Sequence, residues 1–486
     1  MKYVILFYLV ILLVFCFFTD APAQDTLWTR TYGGGENDWG VNIIHTDDNG
    51  FAILSFTNSF GNGDEDIWLI KTNEDGDTIW TKTYGGIGSE SAVNFRQTSD
   101  GGFIIVGWTS TYGNGDLDLW LIKTNEQGDT VWTKTYGGVE EDLGWDIRVL
   151  DDGYIIGGGT KSFGSGDSDF WLLRTDLNGD TLWTRTYGEY DEECCNRIQL
   201  TSDGGYILAG YKRFPNGLDA WLVKTDENGD PLWTRTYGGD DSDAATGIDV
   251  TEDGGFIICG GTESYGHGER DLWLIKTDSE GNTIWSKTLG GSQQDEGYFA
   301  FQTSDGGYVA SGQTYSFGAG ESDIYLIRLD PNGDTLWTRT YGGNDEEWGG
   351  NLVQCDDGNF LLVGFSGSFG SGTGDVWLLK IQWDLVGVND GDWESNSILD
   401  SHIHSYNYPN PFNSSTNIYY NIAEPQNVKL KIYNLQGQLV FDKDIDNGKL
   451  GRQSLTWDAH PQPSGIYFYK LIIGNDVSTR KILLIK

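Results

Sequence analysis

Thr130-Val131-Trp132-Thr133-Lys134-Thr135-Tyr136-Gly137-Gly138 is one of seven near-copies of a single segment. Its Trp recurs at Trp28, Trp80, Trp132, Trp183, Trp233, Trp285 and Trp337, at spacings of 52, 52, 51, 50, 52 and 52 residues. So regular a period marks a repeat architecture, in which each unit buries its apolar faces against its neighbours. Within one period, three further apolar runs of strand length precede the Trp segment, at 91–98, 103–109 and 119–124. Turn chemistry separates them: Ser99-Asp100-Gly101-Gly102, then Tyr112-Gly113-Asn114-Gly115, then Asn125-Glu126-Gln127-Gly128-Asp129. No unit shows a helical period, so helical solenoids fail. Four antiparallel strands repeated seven times predict an all-β, seven-bladed β-propeller over residues 25–383.

The series starts with a lone fourth-type strand around Trp28 and stops after 375–381 without another copy of it. The amino-terminal strand is therefore expected to complete the last blade, which closes the ring and removes an open edge.

Three acidic columns run through the repeat. The first opens every first strand: Asp38, Glu90, Asp142, Glu193, Asp243, Asp295 and Glu347, each followed two residues later by a small side chain. The second precedes every third strand: Asp66, Asp118, Asp169, Asp219, Asp271, Asp323 and Asp375. First and third strands run in the same direction, so both columns belong to one face. The third, Asp48, Asp100, Asp152, Asp203, Asp253, Asp305 and Asp357, lies in the turn after the first strand and so on the opposite face. A metal reading of the first column has its carboxylates holding a hard cation such as calcium. The stronger reading is structural, because Asp beside Gly in turns satisfies backbone N–H groups and a residue present in every blade serves to build the blade. The same recurrence argues against catalysis, which needs one special place. No cofactor is expected.

Positions that break the pattern are the better ligand candidates. Trp39, Trp145, Tyr298 and Trp348 stand near first-strand starts beside carboxylates, and Trp108 departs in a second strand. Aromatic rings next to acidic acceptors suit a sugar, whose faces stack and whose hydroxyls donate. The competing reading has these rings fill gaps left by glycines. No nucleophile elbow or zincin spacing occurs, and His45, His267, His402, His404 and His460 stand in unrelated settings. With 72 acidic residues, chance carboxylate pairs of the glycosidase kind are inevitable. The element 226–233, Asp-Glu-Asn-Gly-Asp-Pro-Leu-Trp, resembles the tryptophan-docking element of quinoprotein propellers and implies architecture but no cofactor.

The charge excludes one large class of partner. Lys+Arg 31 against Asp+Glu 72 give a net charge of -41, and such a surface repels nucleic acid. Lys2 and an uninterrupted apolar run to Phe18, then Ala21-Pro22-Ala23, read as a secretory signal (residues 1–23) cleaved after Ala23. The run is too short to span a bilayer, and no other segment has the apolarity, so no transmembrane span is expected in the mature chain. Cys194, Cys195, Cys259 and Cys355 form no disulfide framework or metal-ligand spacing and are expected to be mostly buried thiols.

After Trp383 the composition changes. Residues 384–404 read as a flexible acidic linker, and residues 401–486 carry nine Lys+Arg against six Asp+Glu, a reversal of sign that marks another domain. Alternating runs at 428–433, 438–441, 453–457, 466–471 and 478–485 predict a small antiparallel sandwich. Tyr408-Pro409-Asn410-Pro411-Phe412-Asn413, the run 430–440 (Leu-Lys-Ile-Tyr-Asn-Leu-Gln-Gly-Gln-Leu-Val) and Ser464-Gly465-Ile466-Tyr467-Phe468-Tyr469-Lys470-Leu471 resemble a type A sorting domain over 405–486, similar to the hook-capping Ig-like domain. Ser414 stands where many members have a second Pro. The resemblance implies export through the type IX secretion system of Bacteroidetes-like bacteria, via the periplasm to the surface or the medium, with the secretion machinery as a partner. The rival reading is an ordinary Ig-like binding module. The function expected is a secreted or surface-attached, non-enzymatic binding or adhesion module with an extracellular glycan or protein ligand. The alternatives are a glycan-active hydrolase or lyase, or a purely structural surface protein.

Overall fold

In the computed structural model the described residues are 26–189, 191–355, 357–382, 405–408, 415–422, 427–435, 437–445, 451–474 and 476–484. The signal segment with Ala23, the linker 384–404 and Pro409 to Asn413 of the sorting motif lie outside them.

Each repeat is a four-stranded antiparallel sheet. Blade 1 consists of Asp38–His45, Phe51–Thr57, Asp66–Thr72 and Thr78–Tyr84. Blades 2 to 6 span 90–136, 142–187, 193–237, 243–289 and 295–341. Blade 7 takes three strands from 347–381 and its fourth, Thr26–Tyr32, from the other end of the domain. That strand pairs antiparallel with Asp375–Ile381, Arg30 opposite Leu378 and Thr31 opposite Trp377. The expected closure is therefore observed, and it unites the chain's distant ends by a full backbone ladder.

Why the second and third strands read as nearly unbroken apolar runs follows from where they sit. Each blade lies between two others, so both faces of its middle strands are covered; the third strand Asp118–Thr124 is buried at every position. Between blades 1 and 2, Leu54, Ile67 and Leu69 meet Phe95, Phe103, Ile105 and Trp120 in one cluster. The third-strand aromatics are thus core. Cys194, Cys195, Cys259 and Cys355 are all buried.

The fourth strand is the outer edge, and its Trp and Tyr reach forward to the next blade. Tyr84 Oη donates to the carbonyl of Gly128 at 2.7 Å, and a Cβ on Gly128 would lie 2.7 Å from the Trp80 ring. Tyr32 repeats the bond on Gly76 (2.5 Å), Tyr187 on Gly229 (2.5 Å) and Tyr237 on Gly281 (2.6 Å). Each Asx-type turn therefore docks under the preceding blade's tryptophan, and its Gly sits at positive φ, +78° at Gly128.

First strands meet around the centre. A β-bulge interrupts most of them, between Gly40 and Asn42, Ala92 and Asn94, and Gly144 and Asp146 in the first three blades. Bulges re-aim a side chain out of the ladder, and here the residue beyond the bulge reaches the neighbouring blade. Asn351 Nδ2 donates to Asn42 Oδ1 (2.7 Å), Asn42 to Asn94 (3.0 Å) and Asn94 to Asp146 (2.5 Å). The Ile198 N–H donates to Asp146 Oδ2 (2.9 Å), and Asn196 Nδ2 donates to the Ala245 carbonyl (2.8 Å). Thr246 bonds the Gly297 carbonyl, and Ser311 Oγ donates to that of Gly350 (3.2 Å). Every blade junction is thereby crossed by at least one such bond near the bore.

The C-terminal unit is a sandwich of two antiparallel sheets. Ser405–Tyr408, Ser415–Ile422 and Gly451–Asp458 form one; Leu439–Ile445, Val428–Asn434, Gly465–Ile473 and Asp476–Leu484 form the other. Ile418, Leu455 and Trp457 from the first sheet pack with Leu430, Ile432, Tyr469 and Leu471 from the second. Two strands, Ser405–Tyr408 and Ser415–Ile422, were not foreseen, because 405–422 is polar and proline-rich and its strands draw on pairing with each other and with Gly451–Asp458.

Candidate functional site

The first acidic column is buried in every blade, at 0% exposure for all seven members. Each carboxylate serves as a staple. Asp38 accepts from the Gly34 N–H (2.8 Å), Ser59 Oγ (2.7 Å) and Thr57 Oγ1. Glu90 takes the Gly86 N–H at 2.7 Å and Thr109 Oγ1 at 2.8 Å; Asp142 takes the Gly138 N–H at 2.7 Å and Thr160 Oγ1. Asp243 accepts from Gly239 N–H and Ser264 Oγ (2.8 and 2.6 Å), and Asp295 from Gly291 N–H and Ser316 Oγ (2.8 and 2.7 Å). Glu347 accepts from Gly343 N–H and Ser366 Oγ (2.7 and 2.8 Å). Glu193 departs: it receives Glu189 N–H at 3.4 Å and faces Lys212 Nζ at 3.6 Å.

The second column sits alongside. Asp66 Oδ2 accepts the N–H groups of Asn62 (2.7 Å) and Gly63 (3.2 Å). The glycine at the junction has no room for more: a Cβ on Gly85 would lie 1.6 Å from Asp66 Oδ1 and 2.8 Å from Glu90 Oε2. Two carboxylates therefore flank each junction, and burial lifts Asp169, Asp219, Asp271, Asp323 and Asp375 of the second column. Asp323 rises to about 7, through burial first and the Glu347 charge second, and Glu193 rises to about 7 through burial, against the pull of Lys212. Among the described residues, no three of His, Cys, Asp and Glu come together as a metal-binding group.

On the opposite face every column member has a cation. Lys71 meets Asp48 (2.9 Å), Lys123 Asp100 (2.9 Å), Lys224 Asp203 (2.9 Å), Lys276 Asp253 (3.0 Å) and Lys380 Asp357 (2.7 Å), while Arg174 meets Asp152 and Arg328 Asp305. Burial by itself would raise Asp48, Asp100 and Asp203; the hydrogen bonds from Thr46, Thr98 and Thr201 and from the lysines overcome it and hold all three at about 2.

The four irregular aromatics do not converge. Tyr298 is tied down by Gln313 Oε1 at 2.9 Å, and Trp145 tilts against Trp108 at 5.0 Å between ring centroids. Trp39 and Trp348 share one groove at the junction of blades 7 and 1. Phe365 stands between them, stacked on Trp39 at 5.6 Å and 19° and edge-on to Trp348 at 6.4 Å. They line a groove of about 600 Å³ with Asn37, Glu321, Asp345, Glu346 and Thr373. Trp348 keeps 43% of its surface open. Phe365 was missed from the sequence, yet a signal existed: its column reads Phe56, Trp108, Gly159, Tyr211, Gly261, Gln313 and Phe365, variable where the neighbouring columns repeat.

The C-terminal sandwich carries the other functional element. Residues 407–486 match the secretion system C-terminal sorting domain. The sorting domain sends its passenger through the periplasm to the cell surface or the medium. Of its motif, Tyr408 pairs with Asn417 at a strand end, Gly465 opens the strand Gly465–Ile473, and Tyr467 is buried with its hydroxyl on the Pro463 carbonyl at 2.7 Å. Gly437, at φ +77°, closes the Asn434–Gln438 turn of the sorting domain's second motif.

The chain is also 24% identical over 176 residues to the regulatory protein FlaEY of Caulobacter vibrioides, a stretch covering 31% of this chain and 18% of that protein. Similar solved structures include PorZ, an essential surface component of the type-IX secretion system of Porphyromonas gingivalis, at 11% identity over 94% of this chain and 60% of that one, TM-score 0.44. The β-propeller domain of the Trilobed protease from Pyrococcus furiosus matches at 11% identity over 74% of this chain and 99% of that one, TM-score 0.38. Among the described residues no helix is long and apolar enough to cross a membrane.

Proposed function

We propose that the passenger is a non-enzymatic binding module, released or surface-held after export, that takes an extracellular glycan in the groove between blades 7 and 1. The observation that carries this reading is the pair of indoles, Trp39 and Trp348, held apart by Phe365 and rimmed by Asp345, Glu346 and Glu321. Aromatic faces pack on sugar C–H surfaces, and carboxylates accept hydroxyl hydrogen bonds. The acidic rim and the net charge of -41 favour neutral or amino sugars and repel uronates and sulfated chains. On this reading the signal segment is removed after Ala23, the sorting domain, Ig-like in its sandwich, engages the type IX machinery, and cations play no part in binding.

A glycan array probed with the mature chain, with and without calcium, tests the proposal. Binding of neutral or amino glycans that is lost in Trp348→Ala and insensitive to calcium supports it. Absence of binding under both conditions, or release of new reducing ends from a bound glycan, overturns it; the second outcome would favour a hydrolase.

A further inference from the structure

The bore of this acidic protein carries a local excess of positive charge. Arg96, Arg148 and Arg197 stand on the first strands of blades 2, 3 and 4. Asp146, wholly buried, is the carboxylate they share: Arg148 Nη1 lies 2.5 Å from its Oδ1 and Arg96 Nη2 3.7 Å. The other carboxylate acting on the group, Asp249, is reached through Gln199, which accepts from Arg148 Nε at 3.0 Å and donates to Asp249 Oδ1 at 2.8 Å. Three guanidiniums thus face two carboxylates, one of them through an amide.

The hydrogen-bonding account is as incomplete as the charge account. A guanidinium has five N–H donors. Among the described residues, Arg96 donates to Asn94 Oδ1 and the Phe95 carbonyl, Arg148 to Asp146, Gln199 and the Ile147 carbonyl, and Arg197 to the Asn196 carbonyl at 3.4 Å. Water reaches the group, since 27% of the Arg96 side chain and 12% of the Arg148 side chain stay open. Burial, and then the neighbouring Arg148 charge, pull Arg96 down to about 9; burial lowers Arg197 as well. Blade 6 offers no counter-charge at the matching positions, which hold Phe299 and Phe301.

We propose that Arg96, Arg148 and Arg197 hold a small oxyanion, of the phosphate, sulfate or carboxylate class, on the inner wall of blades 2 to 4. Guanidiniums bind such groups through paired N–H donors, and a partly water-excluded bore strengthens the contact. The site stands apart from the aromatic groove and does not depend on it.

Isothermal titration of the mature chain with inorganic phosphate, sulfate and acetate, at fixed ionic strength and neutral pH, is the test. One saturable site is expected, with a rise in melting temperature. A response to phosphate and sulfate assigns a tetrahedral ligand, and a response to acetate alone assigns a carboxylate. Arg197→Gln, which removes a single long hydrogen bond to the Asn196 carbonyl, should weaken binding about tenfold or more and melt no lower than the parent without anion, because the burial cost of its charge, which outweighs the attraction to Asp146, goes with it. Arg235→Gln, on an outer strand, should leave both readings unchanged. No saturable response to any of the three anions at millimolar concentration overturns the proposal. So does binding that is equal in parent and Arg197→Gln.

Discussion

The two faces of the propeller carry acidic columns of equal length and opposite character. On the turn face the carboxylates are exposed, 61% at Asp100, and a nearly buried cation lies under each; the Lys123 side chain is 7% open. On the groove face the first-column acids are buried and held by backbone N–H and hydroxyl donors, with Lys212 the cation beside Glu193. The third strand explains the difference. Its Lys or Arg, five residues after the second-column Asp, ends the strand at the turn face and completes a salt bridge there, whereas its Asp begins the strand and adds a second negative charge to the groove face. Aspartates such as Asp48, Asp100 and Asp203 are therefore held low on the turn face while Asp323 is raised on the groove face, and the protein acquires an electrostatic polarity along the bore.

Breaking a staple should have the largest effect. Asp38→Ala leaves the Gly34 N–H and the Thr57 and Ser59 hydroxyls without their acceptor at the closing junction, and should cost about 3 kcal/mol in urea unfolding. On the turn face Lys123→Ala removes bonds to Asp100 and to the Thr124 carbonyl, but Asp100 returns to water, so the loss should be nearer about 2 kcal/mol. An equal cost on both faces would erase the distinction.

The pH dependence sharpens it. Asp323, at about 7 in the fold against an ordinary 3.8, keeps a proton that the unfolded chain gives up between those values, so its contribution to stability falls as pH rises from about 4 to 7. Asp323→Asn should gain stability relative to the parent at pH 8 and not at pH 4. Asp100, held at about 2, contributes stability present above about 4 and lost as pH falls toward 2, so Asp100→Asn should be the less stable protein at pH 7 and converge on the parent near pH 2. Melting curves of both variants across pH would show the opposite signs. The smallest effect is expected at the groove rim: Trp348→Ala should change stability by less than about 0.5 kcal/mol, because much of the ring is open, while abolishing glycan binding.

Most of the fold was legible because each blade repeats the same local instructions. The Asp-Gly turns, the strand-length apolar runs and the surplus fourth strand at 26–32 specify blade count and closure without reference to distant residues. The candidate site was half legible. Trp39 and Trp348 stood out by departing from their columns, but so did Trp145 and Tyr298, and nothing local distinguishes a ring that lines a groove at the closing junction from one packed on the preceding blade, as Trp145 is on Trp108, or tied within its own blade, as Tyr298 is to Gln313. Phe365 lies 326 residues from Trp39 (365 minus 39) and could be paired with it only through closure. The arginines of the bore escaped notice for a related reason: Arg96, Arg148 and Arg197 are unremarkable in an alternating strand, and their convergence on Asp146 depends on bulges and on the angle between blades.

From its sequence alone this chain is a sevenfold β-repeat followed by an export domain, since period, turn residues and sorting motif are short-range patterns that read the same in any context. Only the tertiary structure decided which face keeps its acids uncompensated, which two of four aromatic rings share a groove, and where three arginines meet. Those outcomes depend on through-space neighbours in adjoining blades, and the strand period specifies the side on which a residue projects without naming the residue it will find there.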